Sequence, residues 1–222
     1  MNQSATQPGG AIASPGYRFI LGAGLFFLLG LFLNSTWLAL LGLLGAAFFA
    51  YFFRDPRRPI PDEPGLIVAP ADGKVILLDE VREDKFLGRP VRRVGIFMNV
   101  FDAHVNRTPV AGTVVTSTHR PGRYQAAFRP AADQINEQQS TLLDTAAGQR
   151  VLVVQIAGLL ARRIISYVQP GQKLERGERL GMICFGSRVD LYLPPEVEVL
   201  VKVGDRVKAG SSIIGRWWMD AA

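Results

Sequence analysis

The sequence predicts a mostly β protein, an antiparallel β-sandwich or barrel, preceded by a hydrophobic α-helical hairpin at the N-terminus. Three observations predict it. Two long apolar runs stand near the start of the chain, short β-rich runs punctuated by glycine and proline follow Pro64, and one glycine-spaced pattern occurs twice.

The apolar runs are Phe19–Leu33 and Trp37–Phe53, with Asn34-Ser35-Thr36 as a turn between them. Arg18 is the only charged side chain before residue 54, so nearly all of the net +6 charge of this 222-residue chain lies on the body that follows. Each run falls slightly short of the about 20 residues that span a bilayer. They therefore read as a membrane-associated hairpin (about 18–53) that spans with the help of its interfacial ends or dips in and returns. Arg18 flanks it on one side and Arg54, Arg57 and Arg58 on the other. The positive-inside rule then puts both ends, and the body, on the cytoplasmic face of the cell (inner) membrane. The stretch Asp55–Pro61 holds three prolines and reads as a stiff exit segment. The organisation is thus a tail, hairpin and linker over 1–63 and a β domain over 64–222.

In the β domain the expected strands are 65–68, 73–81, 92–98, 112–119, 150–156, 163–168, 180–184, 188–193, 197–201 and 212–217. Short runs at this spacing point to antiparallel pairing. Two stretches, 102–106 and 136–140, have weak local helical character. The pattern Val168-x-x-Gly171-x-x-Leu174-x-x-Gly177-x-x-Leu180 returns as Val201-x-x-Gly204-x-x-Val207-x-x-Gly210-x-x-Ile213. Glycines supply the positive φ of tight turns and the aliphatic positions return to a core. The pattern resembles the hairpin repeat of lipoyl and biotin carrier domains. Ser187 lies between the two copies.

Composition narrows the chemistry. A basic body suits nucleic acid, an anionic membrane surface or a phosphorylated substrate. No RNA-binding fingerprint is present, so a membrane is favoured over nucleic acid. The single cysteine, Cys184, excludes an internal disulfide and a cysteine zinc site, and no metal is expected. Only His104 and His119 have an ordinary pKa near neutrality.

Four segments carry reactive side chains. Pro70–Val75 contains Asp72 before a Gly-Lys turn. Asn99–Gly112 brings His104, Asn106 and Arg107 within four positions. His119–Tyr124 holds His119, Arg120 and Arg123. The last is Phe185-Gly186-Ser187, which is not a Gly-x-Ser-x-Gly nucleophile elbow, since Phe185 and Val189 occupy the flanking glycine positions.

Together these segments, with Asn136-Glu137 and Phe185–Pro194, make the chain resemble the short-form, pyruvoyl-dependent phosphatidylserine decarboxylases over nearly its full length. The resemblance implies a proenzyme that cuts itself between Gly186 and Ser187 into a large chain 1–186 and a small chain 187–222, which stay associated. Ser187 would be the nucleophile, His104 the base and later acid, and Asp72 the group that orients His104. Ser187 would become a covalent pyruvoyl group, the only cofactor, which forms a Schiff base with the substrate amine and takes up the electrons left by CO2. The substrate would be phosphatidylserine in the membrane and the product phosphatidylethanolamine. Arg107, Asn106 and Arg120 are candidates for binding the substrate anion. Longer relatives have a second histidine where Arg107 stands, so His104 serves both steps or His119 takes one. A higher oligomer is compatible with all of this. The residues also allow a non-enzymatic membrane-anchored carrier or adaptor, or a pyruvoyl decarboxylase of another amino-acid derivative.

Overall fold

The computed structural model describes residues 11–129, 131–159, 163–184 and 186–217. Two compact units divide between Arg57 and Arg58. In the first, helices α1 (Gly16–Phe32) and α2 (Thr36–Phe52) form the expected hairpin. Asn34 turns the chain with φ 51°, and the Ser35 N–H donates to the Gly30 carbonyl at 2.9 Å. Asparagine tolerates this left-handed conformation better than most residues, which is why it can close a helix end. The helices touch through small residues: a Cβ on Gly30 would lie 2.2 Å from the Ala39 nitrogen, and one on Gly42 2.3 Å from that of Phe27. Leu21, Leu25, Leu28, Phe32, Leu41 and Leu44 face outward and are exposed. Each helix has 17 residues, or about 26 Å, against about 30 Å of bilayer hydrocarbon. No described helix is long and apolar enough to cross a membrane.

The second unit is the β domain. Its elements are β1 (Leu66–Val68), β2 (Gly73–Glu83), β3 (Arg89–Met98), β4 (Val105–Arg107), β5 (Gly112–Arg120), the one-turn helix α3 (Ala132–Ile135), β6 (Gln138–Asp144), β7 (Arg150–Ile156), β8 (Ile164–Ser166), β9 (Lys173–Leu174), β10 (Arg179–Ile183), β11 (Ser187–Leu193), β12 (Val197–Val199), β13 (Arg206–Val207) and β14 (Ile213–Trp217). An eight-stranded sheet runs β13-β2-β3-β11-β7-β6-β5-β9, and two three-stranded sheets run β4-β10-β8 and β1-β14-β12. Every pairing between these strands is antiparallel, and the large sheet curls into a half-barrel. The fold class is the one expected.

Alternation along β11 divides the sheet into two faces. Val189, Leu191 and Leu193 enter the main core with Val94, Ile96 and Met98 of β3. Tyr192 points the other way, into a smaller cluster with Leu152, Val154 and Ile156 of β7. The repeat accounts for the edges. Gly171, Gly177, Gly204 and Gly210 all have positive φ, so each copy turns where its glycines require. The short strands of the two copies, β9 and β13, pair with β5 and β2 and so end the large sheet on both sides. The copies meet where Gly210 packs on Gly177.

Three expectations change. The stretch 136–140 is mostly strand β6, with the single helical turn just before it, because β5 and β7 both offer it backbone partners. The stretch 102–106 feeds strand β4, not a helix. In the second repeat copy Ile214 is buried while Ile213 is 37% exposed, since the pairing of β1 with β14 slips by one residue at Ile67/Val68. Such a slip moves the next side chain to the other face.

The hairpin's dependence on close glycine contact is testable. Gly42→Leu should force α1 and α2 apart, raising amide exchange in both helices while leaving exchange in β11 unchanged.

Candidate active site

Ser187 is the first residue of β11, paired with Met98 of β3, and is fully buried. Its Oγ has no hydrogen-bond partner among the described residues. A buried hydroxyl in that state needs an explanation, and a reactive role is one. Gly186 before it has φ 61°, a conformation that favours glycine. The Gly186 carbonyl oxygen presses against Gly158, where a side-chain methyl would fall 1.5 Å from it. Glycine at both positions is therefore a steric requirement.

The β4-β10-β8 sheet lies across from this end of β11. His104 is fully buried just before β4, and its carbonyl accepts the Ile183 N–H at 3.4 Å, four residues before Ser187. Asn106, two residues on, donates to Met98 Sδ at 3.4 Å and accepts from Gln155 Nε2 at 2.8 Å. Met98 is the register partner of Ser187, and Gln155 is that of Val189. Ser187 and His104 are thus both fully buried, and a polar layer of Asn106 and Gln155 links the strand after His104 to the strands that flank β11. Sequence reading found Asn106 but not Gln155, whose only signal is an amide at an inward position of an otherwise aliphatic strand.

Asp72 is buried at the entry to β2. One carboxylate oxygen accepts the Ala209 N–H at 2.8 Å, and the other meets the Arg58 guanidinium at 2.5 Å. Sequence reading assigned Arg58 only to the flank of the hairpin. The Arg107 N–H donates to Pro70 O at 2.9 Å, so the Asp72 loop runs beside the strand that follows His104. Arg107 itself is buried, with Nη1 on the Gly177 carbonyl at 2.9 Å. Its stem packs on Gly210, which places it at the junction of the two repeat copies. Arg120 donates to the Asp133 and Gln134 carbonyls at 2.8 and 3.0 Å. His119 is exposed on β5, opposite Gln139. It stands three strand spacings from β11, about 14 Å along the sheet. Cys184 is half-buried and is not in a disulfide.

The reverse face of β11 holds a feature that sequence reading missed. Arg188 and Asp190 are both fully buried and form a two-point ion pair at 2.8 and 2.9 Å. Arg188 also donates to the Ala127 and Arg129 carbonyls at 3.1 and 3.2 Å, anchoring the 121–131 loop to the residue next to Ser187. Their spacing, two residues apart on one strand, was the available signal. Burial pushes the Asp190 carboxyl up to about 6, although Arg188 pulls it down.

A pH prediction follows from that shift. The folded value lies above the about 3.9 of an unfolded aspartate, so the folded chain holds the proton more firmly. The favourable contribution is complete below the unfolded value and is lost as pH rises towards about 6. Asp190→Asn cannot titrate. From pH 4 to 7 the parent chain should lose on the order of 2 kcal/mol relative to that variant, measured by urea unfolding at each pH.

Comparison with known proteins places the chain in a family. Residues 46–215 match the phosphatidylserine decarboxylase family. A phosphatidylserine decarboxylase proenzyme of Syntrophus aciditrophicus (strain SB) is 45% identical over 205 residues, covering 92% of this chain and 96% of that protein. The proteins of the same name from Symbiobacterium thermophilum (strain DSM 24528 / JCM 14929 / IAM 14863 / T) and Desulfotalea psychrophila (strain LSv54 / DSM 12343) are 47% and 40% identical, covering 92% and 95% of this chain and 95% and 98% of theirs. The chain belongs to the phosphatidylserine decarboxylase family and is a carboxy-lyase.

Proposed function

We propose that this chain decarboxylates phosphatidylserine to phosphatidylethanolamine and CO2 after cutting itself between Gly186 and Ser187. The observation that carries the reading is the buried, unpartnered Ser187 Oγ beside a carbonyl held against Gly158. Ser187 Oγ attacks the Gly186 carbonyl carbon while His104 takes the hydroxyl proton and returns it to the departing amine. The amide becomes an ester. Loss of a proton from the Ser187 Cα expels the Gly186 carboxylate and leaves a dehydroalanine, and water then replaces its nitrogen, releasing ammonia. Asp72 orients His104 by its charge; its bonds to Ala209 and Arg58 hold the carboxylate in place.

The resulting pyruvoyl group fits the site. It would be no larger than the serine it replaces, and residue 187 would stay the first residue of β11, paired with Met98 of β3. The pyruvoyl group supplies a carbonyl that condenses with the substrate amine and accepts the electrons released with CO2. Met98, Asn106 and Gln155 are bonded in a chain beside this end of β11, and His104 would hold the proton that replaces the carboxylate on the substrate α-carbon. The small chain would carry β11, β13 and β14, each paired with a strand of the large chain, which favours continued association. The exposed leucines of the hairpin and its flanking arginines support attachment to the cytoplasmic face of the membrane.

Ser187→Ala should remain a single chain and release no CO2 from detergent-dispersed phosphatidylserine. An uncut parent chain with full activity would overturn the mechanism, and turnover of free serine in place of the lipid would overturn the substrate. Gly158→Ala should slow self-cleavage about 100-fold by displacing the scissile carbonyl, read as the rate at which the small chain appears on a gel.

A further inference from the structure

Three large apolar side chains are exposed on loops of the β domain. Phe101 is 67% exposed, Phe128 61% and Leu159 62%. They belong to three different loops, and all three loops leave the same end of the half-barrel. Phe101 is three residues beyond Met98, the register partner of Ser187. Phe128 packs edge-on against Phe97, with ring centroids 6.0 Å apart, and its loop is held by the bonds from Arg188. Leu159 follows Gly158, which touches both the Gly186 carbonyl and Ala127. The tips therefore surround the end of the half-barrel at which Gly186 and Ser187 lie.

The charge on these loops has one outward sign. Arg123, Arg129 and Arg163 are exposed. Asp102 is the only acidic residue in 99–104, 121–131 and 157–163, and its carboxylate faces inward to the Asn99 N–H and across to Arg206. Apolar tips interspersed with arginine suit the boundary between acyl chains and anionic headgroups. Prongs on separate loops also suit a deformable bilayer better than a folded partner, which needs a continuous complementary surface.

We propose that Phe101, Phe128 and Leu159, with the arginines between them, form a second membrane-docking surface, made by the β domain alone, that sets the Ser187 end of the half-barrel onto an anionic lipid bilayer. The surface deepens the phosphatidylserine reading and rests on it: it explains how a buried residue reaches a headgroup without the lipid crossing bulk water.

The test uses the full chain reconstituted in phosphatidylcholine vesicles with and without phosphatidylserine. The fluorescence that Phe128→Trp adds over the parent chain should shift to the blue, and acyl-brominated phosphatidylcholine should quench it. A triple variant, Phe101→Ser, Phe128→Ser and Leu159→Ser, should still cut itself. It should turn over monomeric short-chain phosphatidylserine within about twofold of the parent and vesicle phosphatidylserine at least about tenfold more slowly. Leu78→Ser, which removes an exposed apolar residue in the middle of β2, should change neither rate. An unshifted, unquenched tryptophan would overturn the proposal, as would an equal loss on both forms of substrate. A change in oligomer size with the triple variant would assign the tips to an interface between copies instead. If the parent chain turns over neither form, the substrate reading fails, and the fluorescence still decides whether the tips meet lipid.

Discussion

The chain passes from the central strand of one sheet into the interior of another between Ile183 and Ser187, and the rest of the site depends on how it makes that crossing. Strand β10 ends at Ile183 in the three-stranded sheet, and β11 begins at Ser187 between β3 and β7. Gly186 makes the bend in a left-handed conformation, with its carbonyl oxygen pressed on Gly158. A side chain at either glycine would displace the carbonyl that precedes Ser187. The proposed reactive residue is thus positioned by main-chain sterics, which tolerate far less displacement than a side-chain hydrogen bond.

The two faces of β11 divide the work of holding that geometry. On the inner face, Asn106, Met98 and Gln155 tie the two sheets together next to Ser187. On the outer face, Arg188 and Asp190 pair in full burial and tie the strand to the 121–131 loop. A buried pair of this kind adds little net stability over an apolar pair of the same volume, yet losing one partner strands a charge. Its value here is positional: it fixes β11 immediately after Ser187, and it fixes the loop that carries Phe128.

Much of this was legible in the sequence. The repeat was read correctly because its glycines are steric necessities, and four positive φ angles occur at its four glycine positions. The hairpin was legible because two uncharged apolar runs admit few other arrangements. Strand β6 was not. Gln138, Gln139, Ser140 and Thr141 are polar yet buried, so neither alternation nor β-branching marked them; sheet pairing on both sides decided their conformation. Within the candidate site, Ser187, His104 and Asp72 are the residues the motifs propose. Gln155 and the Arg188–Asp190 pair escaped because a polar residue's orientation on a strand depends on which face the core occupies. Arg58 escaped because its partner lies fourteen residues on, in a different segment.

The central claim is that Ser187 is consumed in making the catalytic group. Intact-mass spectrometry of the purified chain tests it most directly. The account predicts two polypeptides, 1–186 and 187–222, the smaller lighter by one ammonia than the unmodified peptide would be. A single uncut chain that decarboxylates phosphatidylserine, or a small chain that begins with an unmodified serine, would contradict it.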